Sequence, residues 1–171
     1  RDSTNLILFI SCPQPRTGIC TNRPSGTYDN IGLATARGVE FAVTLRPIDA
    51  LQVQFTHGYV DTRNRTIGSA NFDRRLPRRP ENSSSLLVDY RWSFGLETGF
   101  TLTNVSEAFD NASNTTRLPG YVLADLRAMV PIGDNLELTA RIENLFDEQY
   151  ETAFRFGQMP RAGYVGVRLR I

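Results

Sequence analysis

The sequence predicts an all-β chain: an antiparallel transmembrane β-barrel of about eight meander strands, with short periplasmic turns and long extracellular loops. Three observations predict it. Apolar and polar residues alternate at period two in stretch after stretch, which places each class on its own face of a strand. Short and long connections alternate along the chain, so the long loops all leave from one end of the sheet. The polar face repeatedly carries opposite charges and small residues, while the apolar face is a nearly unbroken aliphatic band. That is the arrangement of a membrane barrel, with lipid outside and a polar lumen inside.

The elements follow in order. Residues 4–11, TNLILFIS, form a first strand. Residues 28–47 form a long second one, with Val39, Phe41, Val43 and Leu45 opposite Gly38, Glu40, Ala42 and Thr44. In 51–61, Leu51, Val53, Phe55 and Tyr59 oppose Gln52, Gln54, Thr56 and Gly58. In 82–92, Leu86, Val88 and Tyr90 oppose Ser85, Asp89 and Arg91. In 94–106, Leu96, Phe100 and Leu102 oppose Glu97, Gly99 and Thr103. In 121–130, Val122, Ala124, Leu126, Ala128 and Val130 oppose Asp125 and Arg127. In 135–146, Leu136, Leu138, Ala140 and Ile142 oppose Glu137, Thr139, Arg141 and Glu143. The last strand, 163–171, sets Val165, Val167, Leu169 and Ile171 against Gly166, Arg168 and Arg170. At Leu145 the alternation slips, which marks a bulge or the strand leaving the bilayer.

Residues 46–50, 92–94 and 131–135 are tight turns, the first and last with Pro, Gly, Asp or Asn where hairpins need them. The connections near 12–27, 62–81, 107–120 and 147–162 are far longer. Tyr59, Tyr90, Trp92, Phe94, Tyr121 and Tyr164 flank the apolar band, as aromatics at a headgroup boundary do. The competing reading is a one-sided antiparallel sheet over a soluble core. It leaves the loop alternation and the charge density of one face unexplained.

Composition narrows the function. The chain has 171 residues, a net charge of +1 and 22% charged residues. That balance gives no footprint for nucleic acid. It holds no apolar run of 18 residues, hence no transmembrane helix. It opens almost directly in an apolar strand with no leader pattern, as a fragment would. Cys12 and Cys20 flank a Pro- and Gly-containing loop, where a disulfide or two free thiols fit. A disulfide implies an oxidising compartment or a cell surface.

Several motifs then resemble one family. RIENLFDEQYET (141–152) followed by AGYVGVRLRI (162–171) resembles the last two strands of TonB-dependent outer-membrane receptors. In 28–47, Asn30, Gly32, Ala34, Gly38, Val39 and Glu40 match a strand pattern of the same barrels. RLPRRPENSSSLLVDY (75–90) and TTRLPGYVLADLRAMV (115–130) resemble their arginine-proline and Leu-Pro-Gly-Tyr strand starts. Within the family the chain looks closest to cobalamin and siderophore receptors.

The resemblance implies an outer-membrane barrel that imports a scarce bulky ligand such as an iron-siderophore or cobalamin. Its long loops capture the ligand, and the inner-membrane TonB complex supplies energy through a plug. Family barrels have about 22 strands around that plug. Here eight strands, no plug and no TonB-contacting box are read, and the last residue is Ile171 rather than an aromatic. Residues 1–171 are therefore expected to be a C-terminal segment of such a barrel. Its partners would be outer-membrane lipid and lipopolysaccharide, the rest of the receptor barrel, and TonB only through the absent plug. The alternative is a self-closing eight-stranded barrel with a structural or binding role and no transport.

Candidate site residues come from the loops and the polar face. Arg74, Arg75, Arg78 and Arg79 lie in the arginine-rich loop that also holds Arg63 and Arg65. Guanidinium forks suit carboxylates and phosphates, so this loop fits an anionic ligand or lipopolysaccharide. Ion pairing with neighbouring loops is the plainer reading. Asp125, Arg127, Glu137, Arg141 and Glu143 are expected to face the lumen as salt-bridged residues rather than as acid/base pairs. His57, the one histidine, shares the phase of Leu51 and Phe55 and reads as a boundary residue, not a catalytic base. No enzyme activity, cofactor or metal site is expected. Asp29, Asp73, Asp110 and Asp147 form no calcium-loop pattern, and the Asn-x-Ser/Thr triplets at Asn82, Asn104, Asn111 and Asn114 read as polar strand and loop residues.

Overall fold

A computed structural model describes residues 2–12, 14, 18–23 and 26–169. In chain order it contains β1 (Asp2–Ser11), a 3-10 turn (Gly18–Cys20), β2 (Gly26–Ile48), β3 (Leu51–Asn64), β4 (Asn82–Arg91), β5 (Glu97–Val105), β6 (Ala108–Phe109), β7 (Arg117–Leu118), β8 (Tyr121–Ile132), β9 (Leu136–Glu143), β10 (Glu151–Ala153), β11 (Phe156–Gly157) and β12 (Ala162–Leu169). Arg170 and Ile171 lie outside the described residues, as does the side chain of Asp29.

The main sheet is an antiparallel meander of eight strands, β1-β2-β3-β4-β5-β8-β9-β12. The strands it skips are two small hairpins, β6–β7 and β10–β11, inside the long loops. The sheet is open: β1 and β12 are its edges. It is also a single layer, because main-sheet strands contact no main-sheet strand but their ladder neighbours.

Period-two patterning fixes the register. One row of directly paired residues runs Leu45, Val53, Val88, Phe100, Leu126 and Ile142. The next row on that face is Val43, Phe55, Leu86, Leu102 and Ala124. The opposite face carries Gln52, Asp89, Gly99, Arg127, Arg141 and Tyr164 in one row. Asp125, Glu137 and Glu143 share that face by alternation. Among the described residues nothing covers the apolar face: Val39 is 70% and Val165 85% exposed. Among the described residues no large side chain is fully buried, so the sheet lacks the core that a soluble sandwich requires.

Two of the aromatics expected around the apolar band lie on the charged face instead. Tyr164 pairs in register with Arg141, whose guanidinium sits 4.3 Å from its ring centroid. Tyr121 alternates in phase with Asp125 and Arg127, and its ring lies 4.4 Å from that of Tyr150. An aromatic near a strand end is ambiguous in sequence; only the register assigns its face. Tyr90 and Trp92 pack edge to face at 4.9 Å beside the short turn of residues 92–96, and Trp92 Nε1 donates to Thr98 Oγ1 at 3.1 Å. Among the described residues no helix is long and apolar enough to cross a membrane, which says nothing about strands.

β2 shows how strongly the strands are offset. β1 pairs with residues 26–35 of β2, whereas β3 pairs with residues 34–48. Residues 36–48 therefore have β3 on one side and no described strand on the other.

Candidate functional site

The slip of alternation at Leu145 has a local cause. Asn144 adopts φ 50°, the left-handed region that Asn tolerates better than most residues. Its side chain then holds the connection together. Asn144 Nδ2 donates to the carbonyls of Glu148 at 3.0 Å and Met159 at 3.3 Å, while its Oδ1 accepts from Glu148 N–H at 2.8 Å. Asn144 N–H donates to Asp125 Oδ1 at 2.8 Å. Asp125 thus supports the loop rather than pairing with Arg127.

Several other charges of that face find partners on it. Arg127 donates to Asp89, two strands away. Arg168 Nη1 donates to Glu137 Oε1 at 2.8 Å, and Glu137 is 5% exposed. Arg141 Nε lies 3.3 Å from Glu143 Oε1 and stacks on Tyr164. Asp89, Arg127, Arg141 and Tyr164, with Arg46, Gln52 and Gly99, line a trough of about 960 Å³ open to solvent. His57 sits on the apolar face with its Nδ1 2.8 Å from Ser84 Oγ, its register neighbour.

At the other end of the sheet the long loops gather. Arg75 is the centre of one knot. Its N–H donates to Asn114 Oδ1 at 2.8 Å, and Asn114 Nδ2 donates back to the Arg75 carbonyl at 3.0 Å. Arg75 Nε pairs with Glu81 at 3.2 Å, and its guanidinium lies 5.4 Å from the Phe109 ring centroid. Arg78, at φ 55°, donates through Nε to Asp110 Oδ1 at 2.8 Å, and its N–H donates to the Phe109 carbonyl at 2.6 Å. Asp110 Oδ1 also accepts from Phe154 N–H at 3.1 Å. One carboxylate therefore joins three loops. Burial pushes the Asp110 carboxyl up, but the Arg78 and Phe154 hydrogen bonds and the Arg78 charge outweigh it, holding it below the ordinary carboxylate range.

The four candidate arginines therefore divide. Arg75 and Arg78 are spent on loop-to-loop contacts. Arg74 and Arg79 are exposed, and among the described residues their side chains make no ion pair. Arg65 pairs with Asp73 at 2.6 Å and Arg63 with Asp61 at 2.7 Å. Cys12 and Cys20 are joined by a disulfide with Cα atoms 5.4 Å apart. Among the described residues no cluster suited to a metal ion is found.

Sequence reasoning passed over Asn144, Asn111 and Asn114 as organisers. Asn111 Oδ1 accepts from the N–H groups of Thr115 and Thr116 at 3.0 and 3.1 Å. An Asn followed four residues on by Thr in a Ser/Asn-rich loop was the available signal.

This geometry can be set beside known proteins. The family model described as TonB dependent receptor-like, beta-barrel, matches residues 1–145. The chain is 27% identical over 148 residues to the vitamin B12 transporter BtuB of Photobacterium profundum, covering 84% of this chain and 23% of that protein. It is 28% identical over 145 residues to the metal-pseudopaline receptor CntO of Pseudomonas aeruginosa, covering 79% of this chain and 20% of that one. The chain thus spans about a fifth to a quarter of the length of these relatives. The fold superposes on the siderophore receptor PiuA from Acinetobacter baumannii with a TM-score of 0.78 at 20% identity, over 98% of this chain and 24% of PiuA. It superposes likewise on BauA, the ferric preacinetobactin receptor from Acinetobacter baumannii, with a TM-score of 0.72 at 21% identity, over 94% of this chain and 25% of BauA. The chain belongs to the TonB-dependent receptors, bacterial outer-membrane proteins, and carries part of their β-barrel.

Proposed function

We propose that this chain is one segment of a larger outer-membrane receptor barrel that takes up a scarce bulky chelate of the siderophore or cobalamin type. The carrying observation is the inverted polarity of the sheet. An exposed aliphatic face lies opposite a charged face on which Arg127 pairs with Asp89 and Arg168 with Glu137, which suits lipid outside and a polar lumen within. The knotted long loops then lie on the extracellular side, where they meet the ligand first. Of the four candidate arginines, Arg74 and Arg79 are the ones left for an anionic chelate or for lipopolysaccharide. The Cys12–Cys20 disulfide fits that oxidising exterior.

The open edges support the segment reading over a self-closing small barrel. Residues 36–48 of β2 run along the apolar band with one side unpaired. Unpaired backbone groups in hydrocarbon cost several kcal/mol each, so this edge requires strands from the rest of a receptor barrel. Energy from TonB would reach this segment through a plug domain elsewhere in the receptor.

Two measurements test the proposal. Refolded alone into detergent, the chain should give β-rich circular dichroism but no heat-shifted band on SDS gels; a heat-shifted monomer would favour the self-closing barrel. The complete receptor, expressed in cells lacking other iron-chelate and cobalamin receptors, should restore uptake of a chelate only when TonB is functional. Equal uptake without TonB would sink the receptor reading.

A further inference from the structure

We infer that residues 74–79 form a masked cleavage site for endoproteases that read arginine, with Asn114 and Asp110 of the neighbouring loop as its two locks. Such a site goes beyond ligand uptake, and rests on the receptor reading only for the side of the membrane that it faces.

The stretch RRLPRR sets two arginine pairs, Arg74–Arg75 and Arg78–Arg79, in the long connection between β3 and β4. Exposed loops are where proteases nick folded chains, and a cation beside the bond is what an acidic specificity pocket takes. Arg74, Arg78 and Arg79 are exposed. By composition alone this loop is a substrate. It rises from the middle of the molecule: β3, β4, β5 and β8 are the four central strands of the main sheet, and the contacts that hold the loop all lie within this chain.

An endoprotease needs more than the side chain. It takes its substrate as an extended strand, with the carbonyl before the scissile bond free to enter an oxyanion hole. Here the backbone denies both. The Arg74 carbonyl accepts from Asn64 N–H at 2.9 Å. Arg75 N–H donates to Asn114 Oδ1 at 2.8 Å, and the Arg75 carbonyl accepts from Asn114 Nδ2 at 3.0 Å. One carboxamide therefore closes the bonds on both sides of Arg75, whose side chain is only 12% exposed. The second pair is closed differently. Arg78 stands at φ 55°, outside the extended region. Its N–H donates to the Phe109 carbonyl at 2.6 Å and its Nε to Asp110 Oδ1 at 2.8 Å. Backbone and guanidinium are both held.

Both locks belong to one connection, between β5 and β8. A single displacement of that connection frees both arginine pairs at once. Hydrolysis would then add one water across a freed bond, leaving a carboxylate on the residue before it and an amine on the residue after it. β3 and β4 stay joined by their ladder from Leu51–Tyr90 to Tyr59–Asn82, so a nicked chain would hold together until it is denatured.

The test is limited digestion of the complete receptor by trypsin in detergent micelles, with the new N-termini sequenced. The wild type should resist cutting within residues 74–79. Asn114→Ala should speed cleavage beside Arg75 about tenfold, and Asp110→Ala should speed cleavage after Arg78 by a similar factor, because proteolysis follows the population of the opened loop. An unchanged heat-shifted band before digestion will show that each variant is folded. Wild-type cleavage at these bonds as fast as in the variants would overturn the inference. Resistance of the double variant, Asn114→Ala with Asp110→Ala, would do the same and assign the protection to other parts of the receptor. Trypsin added to intact cells should also cut the double variant. Cutting only after the cells are opened would refute the extracellular placement of the loop and leave the masked site standing.

Discussion

Arg127 on β8 donates to Asp89 on β4 across Gly99, the residue between them on β5. The glycine makes the reach possible: a Cβ there would collide with the Arg127 guanidinium and lie 2.7 Å from its Cγ. Without that gap Arg127 would stand beside Arg141, its direct register partner, with its route to Asp89 blocked. Arg127 instead turns toward Asp89, and Arg141 turns toward Glu143 and Tyr164.

Gly99→Ala should therefore cost stability only while Arg127 is present. Both members of the ion pair are substantially exposed, so the loss should be modest, about 0.5–1 kcal/mol. In an Arg127→Met background the same substitution should be nearly neutral. Urea midpoints of the four proteins in micelles give the coupling directly, and equal costs in both backgrounds would refute the bridging role.

Gly38 is a different case, because its neighbour is backbone. A Cβ there would strike the Tyr59 carbonyl and come within 3.0 Å of Val60 Cα, neither of which can swing aside. Gly38→Ala should lower stability by about 1–3 kcal/mol or reduce assembly into the membrane. Gly58→Ala, whose Cβ meets only Ser83 Oγ at 3.6 Å, should be tolerated. A urea series on the two variants separates close backbone approach from a general intolerance of side chains on that face.

The strands were legible in the sequence because one period-two pattern governs both faces and sets the register with them. The loops were not, because their order comes from single polar side chains acting across 30 residues or more, such as Asn114 on Arg75 and Asp110 on Arg78. No local pattern announces that Arg75 and Arg78 are occupied while Arg74 and Arg79 are exposed. Tyr121 and Tyr164 were misassigned for a related reason. Near a strand end the apolar face and the rim look alike in composition, and only pairing with Arg141 reveals that Tyr164 belongs to the charged row.

Acid should loosen the loop cluster before it affects the sheet. The Asp110 carboxyl is held below its ordinary value in the folded chain. A depressed folded value means that its stabilising contribution is present above the unfolded value of 3.8, and is lost as pH falls through the folded value. Amide exchange at Phe154, corrected for its intrinsic pH dependence, should thus lose protection below that range. Asp110→Asn should show reduced protection at neutral pH and no further acid step. An unchanged acid step in that variant would assign the transition to another group.

The disulfide should act locally. Closing a loop of about nine residues contributes about 2–3 kcal/mol in the chain-entropy account, and Cys12 and Cys20 enclose such a segment next to the 3-10 turn. Cys12→Ser with Cys20→Ser, or mild reduction, should expose residues 12–23 to protease. The urea midpoint of the main sheet should move little, since β1 pairs with β2 through backbone hydrogen bonds outside that loop. A large drop in the midpoint would show instead that the staple supports the sheet edge.

The divided arginines give the sharpest contrast between structure and recognition. Arg75→Ala removes contacts to Glu81, Glu107 and the Phe109 ring from a side chain that is only 12% exposed. It should cost about 1–2 kcal/mol of loop stability and raise protease sensitivity of residues 65–81. Arg74→Ala and Arg79→Ala remove exposed cations and should leave protease sensitivity and urea midpoints within about 0.5 kcal/mol of the wild type. Their expected deficit is in capture: slower, more salt-sensitive binding of an anionic ferric chelate by the complete receptor. If Arg74→Ala with Arg79→Ala captures chelate at the wild-type rate at low salt, the exposed pair plays no part in recognition.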